Sequence, residues 1–319
     1  MLVISMMTGC GVYLIYHSIT SPALHSAGPA LESVCRIIQP LCLFAMLFLS
    51  FCKIEPKQIK LEKWHGWLLL IQGGIFAAIV LSIRFAAGND GNFAEWVISN
   101  RTVAEAFMLC IICPTATASA VVTGKLGGDM AGVITYTILI NLLVSILVPL
   151  LIPMIYPASG LTFTGAFIKI LAKVFPLLIM PCITAWAVRY LLPKLHRRLV
   201  SHEDTAFHIW AFSLSLAILM STRAIVRSDC GVRVIAGIAL ASAASCVFQF
   251  AFGKKTGARY GSGITAGQAL GQKNTVFGIW MGYTFMDPVV SIAGGMYSLW
   301  HNVFNTWQLR RHEERKRIQ

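Results

Sequence analysis

Two short polar stretches interrupt otherwise apolar sequence, and both hold residue types suited to binding a charged group. The first is Cys113-Pro114-Thr115-Ala116-Thr117-Ala118-Ser119, and the second is Ala269-Leu270-Gly271-Gln272-Lys273-Asn274-Thr275. Pro114 has no N–H and blocks the carbonyl of the preceding turn, so a helix running into it breaks. The helix start that follows a break exposes unpaired N–H groups and the positive end of a dipole. Thr115, Thr117 and Ser119 on one side, and Asn274 and Thr275 on the other, are good capping types. Two such starts converging on one point suit a carboxylate, and these five residues form the candidate substrate-binding set. The plainer account of the first stretch alone is a proline kink packed by Ser and Thr, common in membrane helices.

Lys273 makes the sharpest chemical demand. It is the only basic residue near the middle of an apolar run, where a charge costs at least about 2.5 kcal/mol. Membrane lysines ordinarily snorkel to an interface. Near the centre of a helix of roughly 24 residues, either interface is about 15 Å away. The 13 Asp and Glu fall in loops, in the tail or near the ends of apolar runs, with Glu105 the deepest. None neutralises Lys273 at its own depth, so a functional lysine is expected.

The elements that must position these residues are membrane spans. The chain has 319 residues, 56% hydrophobic and 12% charged, with mean hydropathy +0.70. Soluble chains carry about a quarter charged residues, so a soluble enzyme, a disordered chain and a secreted disulfide scaffold are poor readings. Apolar runs fall near 2–19, 33–51, 67–86, 102–123, 130–155, 163–192, 206–222, 231–252, 262–285 and 288–307. Their continuity excludes an alternating β-barrel pattern. The predicted class is an all-α polytopic membrane protein with ten spans. Turn chemistry separates them at Ser21-Pro22, Gly88-Asn89-Asp90-Gly91, Gly127-Gly128-Asp129, Tyr156-Pro157-Ala158-Ser159-Gly160 and Asp287-Pro288. The apolar start lacks a basic segment and a cleavage site, and reads as a mature helix.

Basic residues set the direction. Seventeen of the 26 Lys and Arg fall on the side of the termini and eight on the other. Both termini are therefore predicted cytoplasmic, in the inner (plasma) membrane. This also explains the net charge of +13 without nucleic acid. Most of the nine cysteines sit in apolar runs, and read as small hydrophobes. Arg223, Arg227 and Arg233 form an outward cluster, read as loop arginines paired to headgroups or to Asp229. His17, His208 and His301 read as packing residues near span ends.

Five spans per half is an odd number, so a repeat of the first half in the second must be inverted. Counted from residue 157, Gly271 is the 115th residue of its half, against position 114 for Pro114. The predicted organisation is residues 1–156 as the first five-helix repeat, 157–308 as the inverted second and 309–319 as a basic cytoplasmic tail.

These motifs resemble the bile acid:sodium symporter family, and the chain looks like one of its bacterial members. Cys113 to Ser119 is similar to that family's C-P-G-G-T-A-S-N, and Gly271-Gln272-Lys273-Asn274-Thr275 to part of its E-V-G-M-Q-N-S. Phe44 to Leu49 falls at its F-x-M-G-L-x-L, and Gln72 at a sodium-site Gln. The resemblance implies a core domain with crossed, broken helices 4 and 9, and a panel of helices 1, 2, 6 and 7. It also shows what has changed. The family's sodium ligands fall on Ala120, Ala269, Lys273 and Val133, whereas Ser119, Gln72 and Thr137 keep oxygen-bearing side chains. Gln72, Thr137, Gln272 and Lys273 form the candidate coupling site, with Lys273 standing where a sodium ion would be.

The first reading is a secondary transporter of a small organic anion, embedded in lipid as a monomer or weak oligomer. No cofactor is expected. Sodium coupling follows from resemblance but has lost most of its ligands, and a proton is the other candidate. An intramembrane enzyme is the alternative, although the chain has no H-E-x-x-H and no pair of deep aspartates. A sensor on the same fold that no longer transports is another.

Overall fold

A computed structural model describes residues 2–18, 28–157, 160–201, 205–228 and 230–318. The Ser21-Pro22 turn, Ala158-Ser159 and Asp229 lie outside the described residues. The helices in chain order are α1 Leu2–Ser18, α2 Gly28–Cys52, α3 Lys63–Ala86, α4 Asn92–Ser99, α5 Arg101–Ile112, α6 Ser119–Lys125, α7 Met130–Ile155 and α8 Phe163–Leu178. They continue with α9 Met180–Leu191, α10 Pro193–Ser201, α11 Thr205–Arg227, α12 Val232–Ala258, α13 Gly263–Gly271, α14 Thr275–Phe285 and α15 Ile292–Ile318. Among the described residues there is no β-strand.

Six stretches are long and apolar enough to cross a membrane: Glu32–Cys52, Lys63–Ala86, Met130–Ile155, Phe163–Leu191, Thr205–Arg227 and Val232–Ala258. Large apolar side chains such as Leu70, Leu240 and Val303 are exposed on the outside. A polar solvent would penalise that surface, and a lipid one does not. The chain is a multi-pass membrane protein.

The run at 163–192 forms one candidate span, Phe163–Leu191, with a local interruption at Ile179 between α8 and α9, flanked by Pro176 and Pro181. Residues 309–318 continue α15 as helix. Arg223 and Arg227 belong to the last turns of α11 rather than to a loop.

Small residues let the interrupted elements sit close to unbroken ones. Gly253 and Gly257 are four apart on α12, the small-xxx-small spacing of close membrane helices. A Cβ on Gly253 would stand 2.5 Å from the Ala266 carbonyl oxygen, and one on Gly257 2.4 Å from the Ala266 Cβ. The α12 backbone therefore rests directly on α13, which ends at the second polar stretch.

Candidate functional site

Helix α5 ends at Ile112 and α6 begins at Ser119, while α13 ends at Gly271 and α14 begins at Thr275. Short non-helical segments around Thr115 and Lys273 join each pair, and these two segments meet. Thr115 and Lys273 pair as an isolated antiparallel bridge. The Ala116 N–H donates to the Gln272 carbonyl at 2.8 Å, and the Asn274 N–H donates to the Pro114 carbonyl at 2.8 Å. Backbone freed by breaking one helix is thus satisfied by the other, as hydrocarbon surroundings require.

Side chains complete this accounting. A helix leaves its last carbonyls without internal partners. The Thr115 hydroxyl donates to the Ala269 carbonyl at 2.7 Å, and the Ser119 hydroxyl to the Gln268 carbonyl at 3.0 Å. Both belong to the last turn of α13. At the end of α5, the Gln72 amide donates to the Cys113 carbonyl at 3.0 Å, and the Tyr136 hydroxyl donates to the Gln72 amide oxygen at 2.7 Å. At the end of α13, the Tyr297 hydroxyl donates to the Gly271 carbonyl at 2.7 Å, and the Gln249 amide to the Tyr297 hydroxyl at 3.1 Å. Each break therefore has its own Gln–Tyr pair. Close packing fixes the rest. A Cβ on Gly278 would stand 2.4 Å from the Cys113 sulfur, and one on Gly271 2.4–2.6 Å from the Phe250 ring.

A cavity of about 610 Å³ opens beside the crossing. Its wall is formed by α2 and α11, its floor by the crossing segments, and its far side by α7 and α15. It reaches the surface where Lys53 and Phe207 are exposed. The walls are mostly apolar, and among the described residues no Asp or Glu lines them.

The predicted site residues divide between scaffold and cavity. Thr117, Thr137, Gln272, Lys273, Asn274 and Thr275 line it. Thr115, Ser119 and Gln72 do not; they are buried and spent on the helix ends just described. Thr115 and Ser119, expected to touch substrate, instead join the two broken helices. Asn274 does cap α14, its oxygen accepting from the Phe277 N–H at 3.2 Å. Thr137 donates to the Val133 carbonyl at 2.8 Å.

Lys273 is 1% exposed, and its ammonium nitrogen has no hydrogen-bond partner in the protein. The Asn274 amide nitrogen and the Gln272 amide oxygen are also buried and unpaired. The sequence reading missed the contribution of α15. His301 and Asn305 line the same cavity, each 5% exposed, with His301 Nδ1 and the Asn305 amide nitrogen unpaired. Their i, i+4 spacing inside His301-Asn302-Val303-Phe304-Asn305-Thr306 was the available signal, since it puts both on one helix face.

Other buried polar groups are structural. Arg101 donates to Glu105 at 2.7 Å and to the Ile155 carbonyl at 2.9 Å, and Tyr156 donates to Glu105 at 2.5 Å. The nine cysteines are free. Among the described residues no group of three His, Cys, Asp or Glu could hold a metal ion.

No curated protein matches the chain. Two broken helices that satisfy each other's backbone inside a multi-pass protein, with a cavity beside the crossing, form an architecture suited to moving a solute. Residues 7–303 match the SBF-like CPA transporter family, which covers every helix at the crossing, and the chain belongs to that family.

Proposed function

We propose that the protein is a secondary transporter of a small monoanionic carboxylate, working by alternating access without sodium. The observation that carries this reading is the cavity floor. Lys273 and Asn274 are among the residues that line it, and their side-chain nitrogens are buried without a partner in the protein, with no acidic residue among the described lining residues. An unpaired buried donor is costly, and a buried unpaired cation more so. A carboxylate supplies both the charge and the acceptors, while the apolar walls take its carbon skeleton.

The proposed architecture is ten spans in two inverted five-helix repeats, with cytoplasmic termini in the inner membrane of a bacterial cell. The repeat is supported by the two breaks, Pro114 at position 114 of the first half and Gly271 at position 115 of the second.

Sodium independence is argued from the donor set. A sodium ion takes several oxygen ligands. Here the Gln72 oxygen already accepts from Tyr136, Ala269 offers no side-chain oxygen, and Lys273 brings an ammonium group. A fixed cation in place of a bound one leaves a uniporter or, if Lys273 exchanges a proton with each cycle, a proton-linked carrier. The test is uptake of radiolabelled pantoate and cholate into proteoliposomes. Accumulation of either acid above protein-free vesicles supports the proposal. Tight binding of a sugar or an organic cation, with neither acid bound, contradicts it.

A further inference from the structure

A second polar cluster lies at the opposite end of the molecule from the cavity mouth. The Glu32 carboxylate on α2 pairs with Arg223 on α11. The Tyr283 hydroxyl on α14 donates to the same carboxylate at 2.6 Å and accepts from the Arg223 guanidinium at 2.9 Å. Arg36, one turn along α2, donates to Glu32 at 2.8 Å and lies 4.4 Å over the Tyr283 ring. Three groups from three helices close a triangle in which every edge is a hydrogen bond or ion pair. The outward arginine expected to meet headgroups or Asp229 is instead held by Glu32 and Tyr283.

Position gives this triangle a role. The cavity wall is made by α2 and α11, near Met46 and Trp210, and α14 meets the cavity at Thr275. At 1.5 Å per residue, Glu32 lies about 21 Å along α2 from Met46, and Arg223 about 20 Å along α11 from Trp210. Tyr283 lies about 12 Å along α14 from Thr275. The same wall that stands away from the crossing at the cavity is therefore tied to it beyond the crossing.

We propose that Glu32, Arg223 and Tyr283 form the gate on the Tyr283 face, which opens by breaking this triangle when the cavity closes on the Lys53 face. The proposal rests on the alternating-access reading. Glu32 and Arg223 ride on one wall and Tyr283 on the broken helix, so parting the wall from the crossing must separate Tyr283 from both. The side chains of Glu32 and Arg223 are each 19% exposed, so water can replace the Tyr283 hydroxyl on both once the wall parts from the crossing. Opening leaves the two charges paired with each other, so it avoids the cost of separating a buried ion pair.

The test uses the full chain in right-side-out and inverted membrane vesicles, with a Thr117→Cys reporter labelled by a membrane-impermeant maleimide. Protein without the reporter corrects for the native cysteines. Pantoate uptake by protein without the reporter is measured alongside. Glu32→Gln and Tyr283→Phe should raise labelling from the Tyr283 face and lower it from the Lys53 face. The expected shift is about tenfold for a lost hydrogen bond to a charged group. Tyr283→Phe removes only a hydroxyl and remains informative if Glu32→Gln fails to fold. Unchanged labelling in both variants, with pantoate taken up by the parent, overturns the gate and leaves the transport reading standing. Labelling that rises on the Tyr283 face without falling on the other marks a plain seal and overturns the gate too. A shifted labelling pattern in a protein that takes up no acid supports the gate and counts against the acid as cargo. Unchanged labelling with no uptake overturns both.

Discussion

Thr115 and Thr117 are two residues apart and chemically identical, yet the fold gives them opposite work. The Thr115 hydroxyl donates to the Ala269 carbonyl and faces the other broken helix, whereas Thr117 lines the cavity. Thr115→Val keeps the shape but leaves that carbonyl unpaired, which should cost about 1–3 kcal/mol of stability. Thermal unfolding in detergent checks this, and the protein that remains folded should bind pantoate like the parent. Thr117→Ala should do the reverse, weakening binding by about 1 kcal/mol, or roughly fivefold, if one neutral hydrogen bond is lost. Equal unfolding temperatures for the two variants would contradict the division of roles. Residue type alone could not assign these roles. The sequence shows that Thr115, Ser119 and Gln72 can form hydrogen bonds, but the carbonyls they satisfy belong to helix ends created elsewhere in the chain. Lys273 was legible because its cost depends only on depth, and depth is readable from hydropathy. His301 was misjudged for the same kind of reason. With the last run ended near 307 it looks peripheral, whereas α15 continues to Ile318 and places it in the cavity.

At the scale of elements, the two breaks depend on close approach. Gly271 ends α13 against the Phe250 ring on α12, with no room for a methyl group. Gly271→Ala should therefore destabilise the protein by about 1–3 kcal/mol through overpacking. Combining it with Phe250→Leu should recover part of the loss, as expected for two residues in contact. Additive losses in thermal unfolding of the single and double variants would show that the contact is not the cause. The breaks themselves could be read from Pro114 and from the polar stretch around Lys273. Their crossing could be read only through the family resemblance, because the bonds between residues 114–116 and 272–274 are backbone bonds and leave no side-chain pattern. The interruption at Ile179 leaves the span whole, and its apolar flanks hide it from hydropathy, although Pro176 and Pro181 mark the place.

The whole molecule is a multi-pass transporter whose cavity mouth lies at the end carrying Lys53 and Leu309. That is also the end richer in basic residues, which on the topology proposed above is the cytoplasmic end. The far end is closed by Glu32, Arg223 and Tyr283. Between the two ends sits Lys273, buried beside the cavity. The account's central claim is that this lysine does the work of the missing cation. The most direct measurement is pantoate binding and uptake in proteoliposomes, in sodium and in choline, for the parent and for Lys273→Gln. The parent should behave alike in the two salts. Lys273→Gln should bind the acid about tenfold or more weakly in choline, since a hydrogen bond to a charged group contributes roughly 1.5–3 kcal/mol. Uptake by the parent that requires sodium, with Lys273→Gln behaving the same, would contradict the account.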